Sequence, residues 1–420
     1  MSVLLSLLLG AVLCSHVLSL PEGTTTEPET VTQEDRVNNT LVGPLSLARS
    51  NTDFAFSLYK LLAAQSPETN VIFSPLSVSM ALAFLALGAR GHTQTEILQG
   101  LKFNLTETPE ANIHRGFQQL LRHLSRSGMP LQLDVNTAVF LDQQLDLKEG
   151  FREEARELYA ADALSADFQD TTAAEKLIND YVELKTRGKI KELVKGLDTE
   201  TRMVLVNCLF FKAQWKTPFD PHDTRPSNFH VSKSRKVEVP MMNAKDIRVP
   251  YFRDEALGCT VVQLPYKASS ACALLVLPDE GHMAKVEAAL LPGTLQRWRD
   301  SLEMRTITLR LPKFSVSGDY DLKQVLALLG LRSVFSRDAD LSGLTHAKNL
   351  HVSQVVHKAV MDVAEEGTEA AAATGIKIMP ASARLHYTFV NFNRPFLVVL
   401  LSEDTKSILF LGKVADPQQA

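Results

Sequence analysis

The residues with the most chemical potential lie near the C-terminus, and their chemistry is to be attacked rather than to attack. Glu365-Glu366-Gly367-Thr368-Glu369-Ala370-Ala371-Ala372-Ala373-Thr374-Gly375 is followed by Ile376-Lys377-Ile378-Met379-Pro380-Ala381-Ser382. The run begins acidic, continues through small side chains and ends in a short apolar peptide that reads as a protease substrate. Thr, Ala and Gly are accepted in loop, helix and strand, so such a segment can leave one conformation and enter between two strands without steric conflict. Composition alone favours an alanine-rich surface helix or a flexible linker. The rest of the chain decides between these readings.

Motifs for attacking chemistry are missing. There is no His-Glu-x-x-His zinc motif, no Gly-x-Ser-x-Gly nucleophile elbow, no phosphate-cradling Gly-x-x-x-x-Gly-Lys-Ser/Thr loop and no Gly-x-Gly-x-x-Gly. The 11 histidines are scattered without metal-ligand spacing. A Ser-His-Asp set brought together only in space stays open, because triads do not follow sequence order. The expectation is a protein that is not an enzyme and needs no metal or cofactor. Lys233-Ser234-Arg235-Lys236 reads as a charged turn between strands, with contact to a sulfated glycosaminoglycan as the alternative.

The run belongs to a chain of 420 residues, 45% apolar, with a formal net charge of −4. That charge gives no sign of a nucleic-acid partner. Residues 1–19 read as a secretory signal: 3–13 are apolar but too short to span a bilayer, and Val17 and Ser19 are small enough to precede a cleavage site. Lys and Arg are absent from its start, which departs from the usual pattern. Residues 20–44 read as a disordered tail rich in Thr, Glu, Pro and Asn. No later stretch is apolar enough to cross a membrane, and the mature protein is expected outside the cell. Sequons at Asn38 and Asn104 fit a secreted glycoprotein. Cys208, Cys259 and Cys272 each sit in an apolar run, so buried free thiols are expected rather than a disulfide framework.

From residue 45 to 420 neither repeat nor linker marks a boundary, and one domain is expected. Asp53 can cap a helix bearing Phe54, Leu58, Leu61 and Leu62 on one face. Residues 77–87 form an apolar helix ended by Gly88, and helical patterns run through 110–124, 147–159, 173–185, 283–291 and 321–329. Strand patterns occupy 131–141, 203–211, 260–264, 272–277, 306–311, 396–401 and 407–414. Helices dominate the first half and strands the second, which argues for an α+β fold with mainly antiparallel sheet.

Three islands join the C-terminal run: Asn70-Val71-Ile72-Phe73-Ser74-Pro75-Leu76-Ser77 with Leu87-Gly88-Ala89-Arg90-Gly91; Leu205-Val206-Asn207-Cys208-Leu209-Phe210-Phe211-Lys212-Ala213 with Trp215 and Pro218-Phe219; and Phe392-Asn393-Arg394-Pro395-Phe396 with Ile408-Leu409-Phe410-Leu411-Gly412-Lys413-Val414. With Val356-His357-Lys358-Ala359, they resemble the serpin family over essentially the whole chain from Leu45, and its secreted antitrypsin-like clade in particular. The resemblance implies a metastable serpin fold with an exposed reactive loop. It implies a covalent complex with a serine protease, formed by a monomer: the loop is attacked, the protease is acylated, and the severed segment inserts as a new strand of the central sheet.

On this reading residues 367–373 (Gly367, Thr368, Glu369, Ala370, Ala371, Ala372 and Ala373) are the hinge. Ser74, Ser77, Asn207 and His357 lie beneath the sheet where its strands part, and Trp215 stands at the top of the opening. Counting seventeen residues from Glu365, as the family does, puts the cut bond between Ala381 and Ser382. A small Ala side chain there suits the narrowed pockets of elastase-like proteases, with chymotrypsin-like enzymes next and Arg384 as competing bait for trypsin-like ones. The residues themselves add an independent point. In a strand, Thr368, Ala370, Ala372 and Thr374 share one face, all small and uncharged, while Glu369 falls on the other. The alternative function is a non-inhibitory carrier of a hormone or small hydrophobic ligand.

Overall fold

A Ser-Pro step followed by a stretch that is apolar but for Ser77 and Ser79 starts the element on which the sheets rest. The computed structural model describes residues 44–124, 131–267, 270–368 and 388–419, all within one unit, Leu41–Ala420. The helices are α1 (Pro44–Gln65), α2 (Pro75–Gly88), α3 (Gly91–Gly100), α4 (Glu110–Leu124), α5 (Glu149–Tyr159), α6 (Thr171–Lys185), α7 (Met283–Ala288), α8 (Pro292–Asp300) and α9 (Lys323–Leu328). Every residue of α2 is buried, as an all-round apolar helix must be. Ser74 caps it by accepting the Ser77 N–H, and Pro75 occupies the first turn, where its missing N–H costs nothing.

The strands are β1 (Val71–Phe73), β2 (Leu131–Asp142), β3 (Asp162–Ala166), β4 (Met203–Gln214), β5 (Arg225–His230), β6 (Lys236–Asp254), β7 (Cys259–Pro265), β8 (Ala271–Pro278), β9 (Glu303–Pro312), β10 (Phe314–Asp321), β11 (Gln354–Val363), β12 (Gly367–Thr368), β13 (Thr388–Asn391), β14 (Phe396–Ser402) and β15 (Ile408–Val414). Among the described residues they make two sheets. The larger runs β1-β15-β14-β8-β7-β6-β9-β13 with β5 on β6, and the smaller runs β10-β11-β4-β2-β3 with β12 on β4. Pairing is mostly antiparallel, as expected; β11·β4, β2·β3 and β13·β9 are parallel. α2 packs against β4 and β2 of the smaller sheet and β15 of the larger.

Two local expectations change. Asp53 does not begin a helix: α1 starts at Pro44, and Asp53 lies inside it, because the apolar face continues upstream through the buried Leu47. The helix expected over 283–291 ends at Ala288, and α8 opens separately at Pro292, which cannot continue a preceding helix. Among the described residues no helix is long and apolar enough to cross a membrane.

The smaller sheet has one seam. β11 and β4 pair in parallel only from Gln354↔Val204 to Ala359↔Leu209. Beyond that point the hairpin bridge Ala364↔Gly367 turns the chain back through Glu365 and Glu366. β12 then pairs antiparallel with the end of β4, at Gly367↔Gln214 and Thr368↔Ala213.

Candidate functional site

Below the seam, one row of polar side chains crosses an apolar face. Strand register aligns Thr137 of β2 with Asn207 of β4, Asn207 with His357 of β11, and His357 with Tyr320 of β10. Ser77 Oγ donates to Asn207 Oδ1 at 2.7 Å, and His357 Nδ1 lies 2.8 Å from the same oxygen. Asn207 Nδ2 donates to Thr137 Oγ1 at 3.1 Å. The Ser74 backbone N–H donates to His357 Nε2 at 3.0 Å, so Nε2 accepts and the proton sits on Nδ1, which donates to Asn207. Ser74, Ser77, Thr137, Asn207 and His357 are all buried. The Asn207–His357 bond crosses the seam, joining the two strands by side chains as well as by the ladder.

Burial pushes the His357 pKa down to about 3, outweighing the hydrogen bond to Asn207 that favours the charged form. The imidazole is therefore neutral in the fold, whereas in the unfolded chain it titrates near its ordinary value of about 6.5. A depressed folded-state value means that the unfolded state takes up the proton first. The stability His357 contributes is complete above about pH 6.5 and falls as pH drops toward 3, by about 2 kcal/mol between pH 7 and pH 5. Urea midpoints over that interval should show a steeper loss in the wild type than in His357→Gln. Parallel curves would remove His357 as the source.

At the top of the seam the aromatic residues take over. Trp215 stacks on Tyr266 with ring centroids 4.5 Å apart and planes at 12°. Its Nε1 donates to the Ala364 carbonyl at 3.0 Å, and its backbone N–H donates to Glu366 O at 2.8 Å. The Phe219 N–H donates to Glu365 O, also at 2.8 Å. Thr368 is buried, with its hydroxyl 2.8 Å from Tyr266 OH. Glu365 is held below the usual carboxylate range: burial opposes ionisation, but hydrogen bonds from Lys313 at 3.0 Å and Thr224 at 2.9 Å prevail. Gly367 has φ of +152°, and a Cβ there would lie 2.1 Å from the Ala213 carbonyl oxygen, so only glycine fits.

Of the residues singled out in the sequence, the structure brings Ser74, Ser77, Asn207 and His357 into one network and sets Trp215 beside Gly367 and Thr368. Glu369, Ala370, Ala371, Ala372, Ala373, Ala381, Ser382 and Asn38 lie outside the described residues. Asn104 is exposed in a turn, its Oδ1 accepting from the Thr106 hydroxyl at 2.6 Å. Cys208, Cys259 and Cys272 are free and buried, and burial raises the first two thiols to about 12. The basic cluster is a turn between β5 and β6, in which Arg235 pairs with Asp416 at 2.5 Å.

Thr137, Tyr320 and Tyr266 were not singled out. Thr137 had a signal, as the one polar member of an alternating apolar set with Leu133, Val135, Val139 and Leu141. Tyr266 had none, since nothing local ties it to Thr368.

Residues 49–417 match the family model described as serpin (serine protease inhibitor). Serpin A3-8 of Bos taurus is 56% identical over 100% of this chain and 99% of its own length. Alpha-1-antichymotrypsin of Homo sapiens is 56% identical over 98% of this chain and 97% of its own. The crystal structure of human thyroxine-binding globulin bound to its ligand superposes with a TM-score of 0.85 at 40% identity, covering 89% of this chain and 99% of that one.

Proposed function

The chain belongs to the serpin family, and from that premise we propose that it is a secreted, glycosylated, monomeric inhibitor that traps an elastase-like or chymotrypsin-like serine protease covalently. The protease serine attacks the Ala381 carbonyl carbon. The Ala381 to Ser382 amide breaks, Ser382 leaves as an amine with the proton, and Ala381 remains esterified to the enzyme. The severed segment from Thr368 to Ala381 then enters as a strand between β4 and β11, gaining ladder hydrogen bonds at about 3.3 Å of rise per residue.

β12 carries this reading. Gly367 and Thr368 turn back from β11 and pair antiparallel with β4 at the head of the seam that further pairing would fill. Trp215 and Tyr266 hold that entrance, and the Ser74, Ser77, Asn207 and His357 network joins the strands below it. Hydrogen bonds that reach across a seam through side chains can break as strands part and form again once a strand has entered, which suits these residues to supporting the opening. Glycans at Asn38 and Asn104 complete the picture of an extracellular protein.

Incubation with pancreatic elastase tests this reading. A covalent band on denaturing electrophoresis, together with a released peptide beginning at Ser382, is the expected result. Cleavage without the band, by elastase and by chymotrypsin alike, would overturn it and favour the carrier reading. The resemblance to thyroxine-binding globulin supports that second reading, at lower identity than the resemblance to alpha-1-antichymotrypsin.

A further inference from the structure

Behind the entrance to the seam lies a cavity of about 380 Å3 that the insertion chemistry does not use. This volume falls within the range of small-ligand sites, about 300–1,000 Å3. Trp215 and Phe219 form one wall, and Leu264 and Met304 face it from β7 and β9. The lining is largely apolar, and Met304 is half exposed at 54%, which keeps one side open to solvent.

The charges around it are unequal. Lys216 and Arg248 line the cavity, both are exposed, and neither has an ion-pair partner among the described residues. The carboxylate that also lines it, Glu403, is already engaged. Its Oε2 accepts from Arg299 at 2.9 Å and Lys406 at 3.3 Å, and its Oε1 accepts from Gln263 at 3.2 Å and the Cys272 thiol at 3.0 Å. An apolar chamber with two unpaired cations at its mouth selects a molecule with an apolar body and one negative charge.

The same wall holds the base of the hinge. The backbone N–H groups of Trp215 and Phe219 bind the carbonyls of Glu366 and Glu365, and the Trp215 ring packs on Tyr266, which bonds Thr368. We propose that this cavity binds an amphipathic organic anion, an aromatic or aliphatic body with one carboxylate or sulfonate, and that occupancy fastens segment 215–219 to Glu365 and Glu366 and so restrains the opening of the seam. The restraint on trapping rests on the inhibitory reading above; the binding site does not.

The test uses 8-anilinonaphthalene-1-sulfonate on the full folded chain, with uncharged N-phenyl-1-naphthylamine as its counterpart. The sulfonate should saturate at one molecule per chain. Lys216→Ala with Arg248→Ala should weaken it about tenfold while leaving the neutral compound unchanged. Leu264→Trp, which fills the chamber, should abolish binding of both. At ten times Kd, amide exchange at Trp215 and Phe219 should slow about tenfold, since opening would require release of the ligand. Because Lys216 and Arg248 are exposed, their removal leaves the fold intact, and unchanged sulfonate affinity in that double variant would overturn the site. Saturated binding without slower exchange would overturn the coupling to the hinge. A chain that binds the sulfonate as expected but traps no protease would count against the inhibitory reading alone.

Discussion

Thr368→Arg is expected to be cleaved by the target protease at the wild-type rate and to release it instead of trapping it. Thr368 is 1% exposed and its hydroxyl bonds Tyr266 inside the sheet entrance, so the position already faces the core. An arginine does not fit that buried site, so it displaces β12 from the sheet entrance in the native state, and insertion must then carry an unpaired guanidinium into the interior, at a cost of about 3 kcal/mol or more. Carried by the barrier to insertion, that is about a hundredfold slower strand entry. Acylation happens outside the sheet and is untouched, so hydrolysis of the acyl-enzyme overtakes insertion. Denaturing electrophoresis with elastase should show the cleaved chain and almost no covalent band, while Thr368→Ser keeps the band. A full covalent yield from Thr368→Arg would remove insertion from the account.

Asn207→Ala should cause the largest loss of native stability among the polar residues at the seam. Its amide accepts from Ser77 and His357 and donates to Thr137, all in a buried setting. Truncation strands the Nδ1 proton of His357, at about 1–3 kcal/mol when left unsatisfied, and leaves the Ser77 hydroxyl only the longer bond to the Ser74 carbonyl at 3.4 Å. The ring cannot escape by charging, because Nε2 is already committed to the Ser74 N–H and burial opposes the cation. The thermal midpoint should fall by at least about 5 °C. In a cycle with Ser77→Ala the two losses should fall short of additivity by about 1 kcal/mol, since they share a bond. Additive losses would mean that the network is not a unit.

Much of the fold is legible in the residues because its signals are local. The strands at β4, β8, β14 and β15 are apolar runs broken only by isolated polar residues such as Asn207 and Lys413, and the pattern over 110–124 matches α4, Glu110–Leu124. β6 was missed for a physical reason. Over Lys236–Asp254 it carries Pro240, Pro250 and several charges, and its register shifts between Ala244 and Ile247, where Asp246 adopts φ of 54°. Proline and charge oppose a strand assignment, and only partners on both sides, β7 and β9, make a strand of it. β10 and β11 hide for a related reason: their alternation includes Gly318, His357 and Lys358, polar or small residues whose fit depends on neighbours distant in sequence.

The order of residues alone sets the class of protein and, after Glu366, a run of small, uncharged side chains in one strand phase behind an acidic start, with polar residues placed singly in apolar runs elsewhere. Those properties belong to side-chain size and to a two-residue period, which need no partner to be read. Where the seam lies and what holds it depend instead on the folded chain. The pairing of β11 with β4 ends at Ala359↔Leu209, the Nδ1 proton of His357 is fixed by a backbone N–H from Ser74, and the ring of Trp215 meets Tyr266, whose hydroxyl meets Thr368. Each is a contact between residues far apart in the chain, and hydrogen bonding and stacking act only once the whole fold has brought those groups within reach of one another.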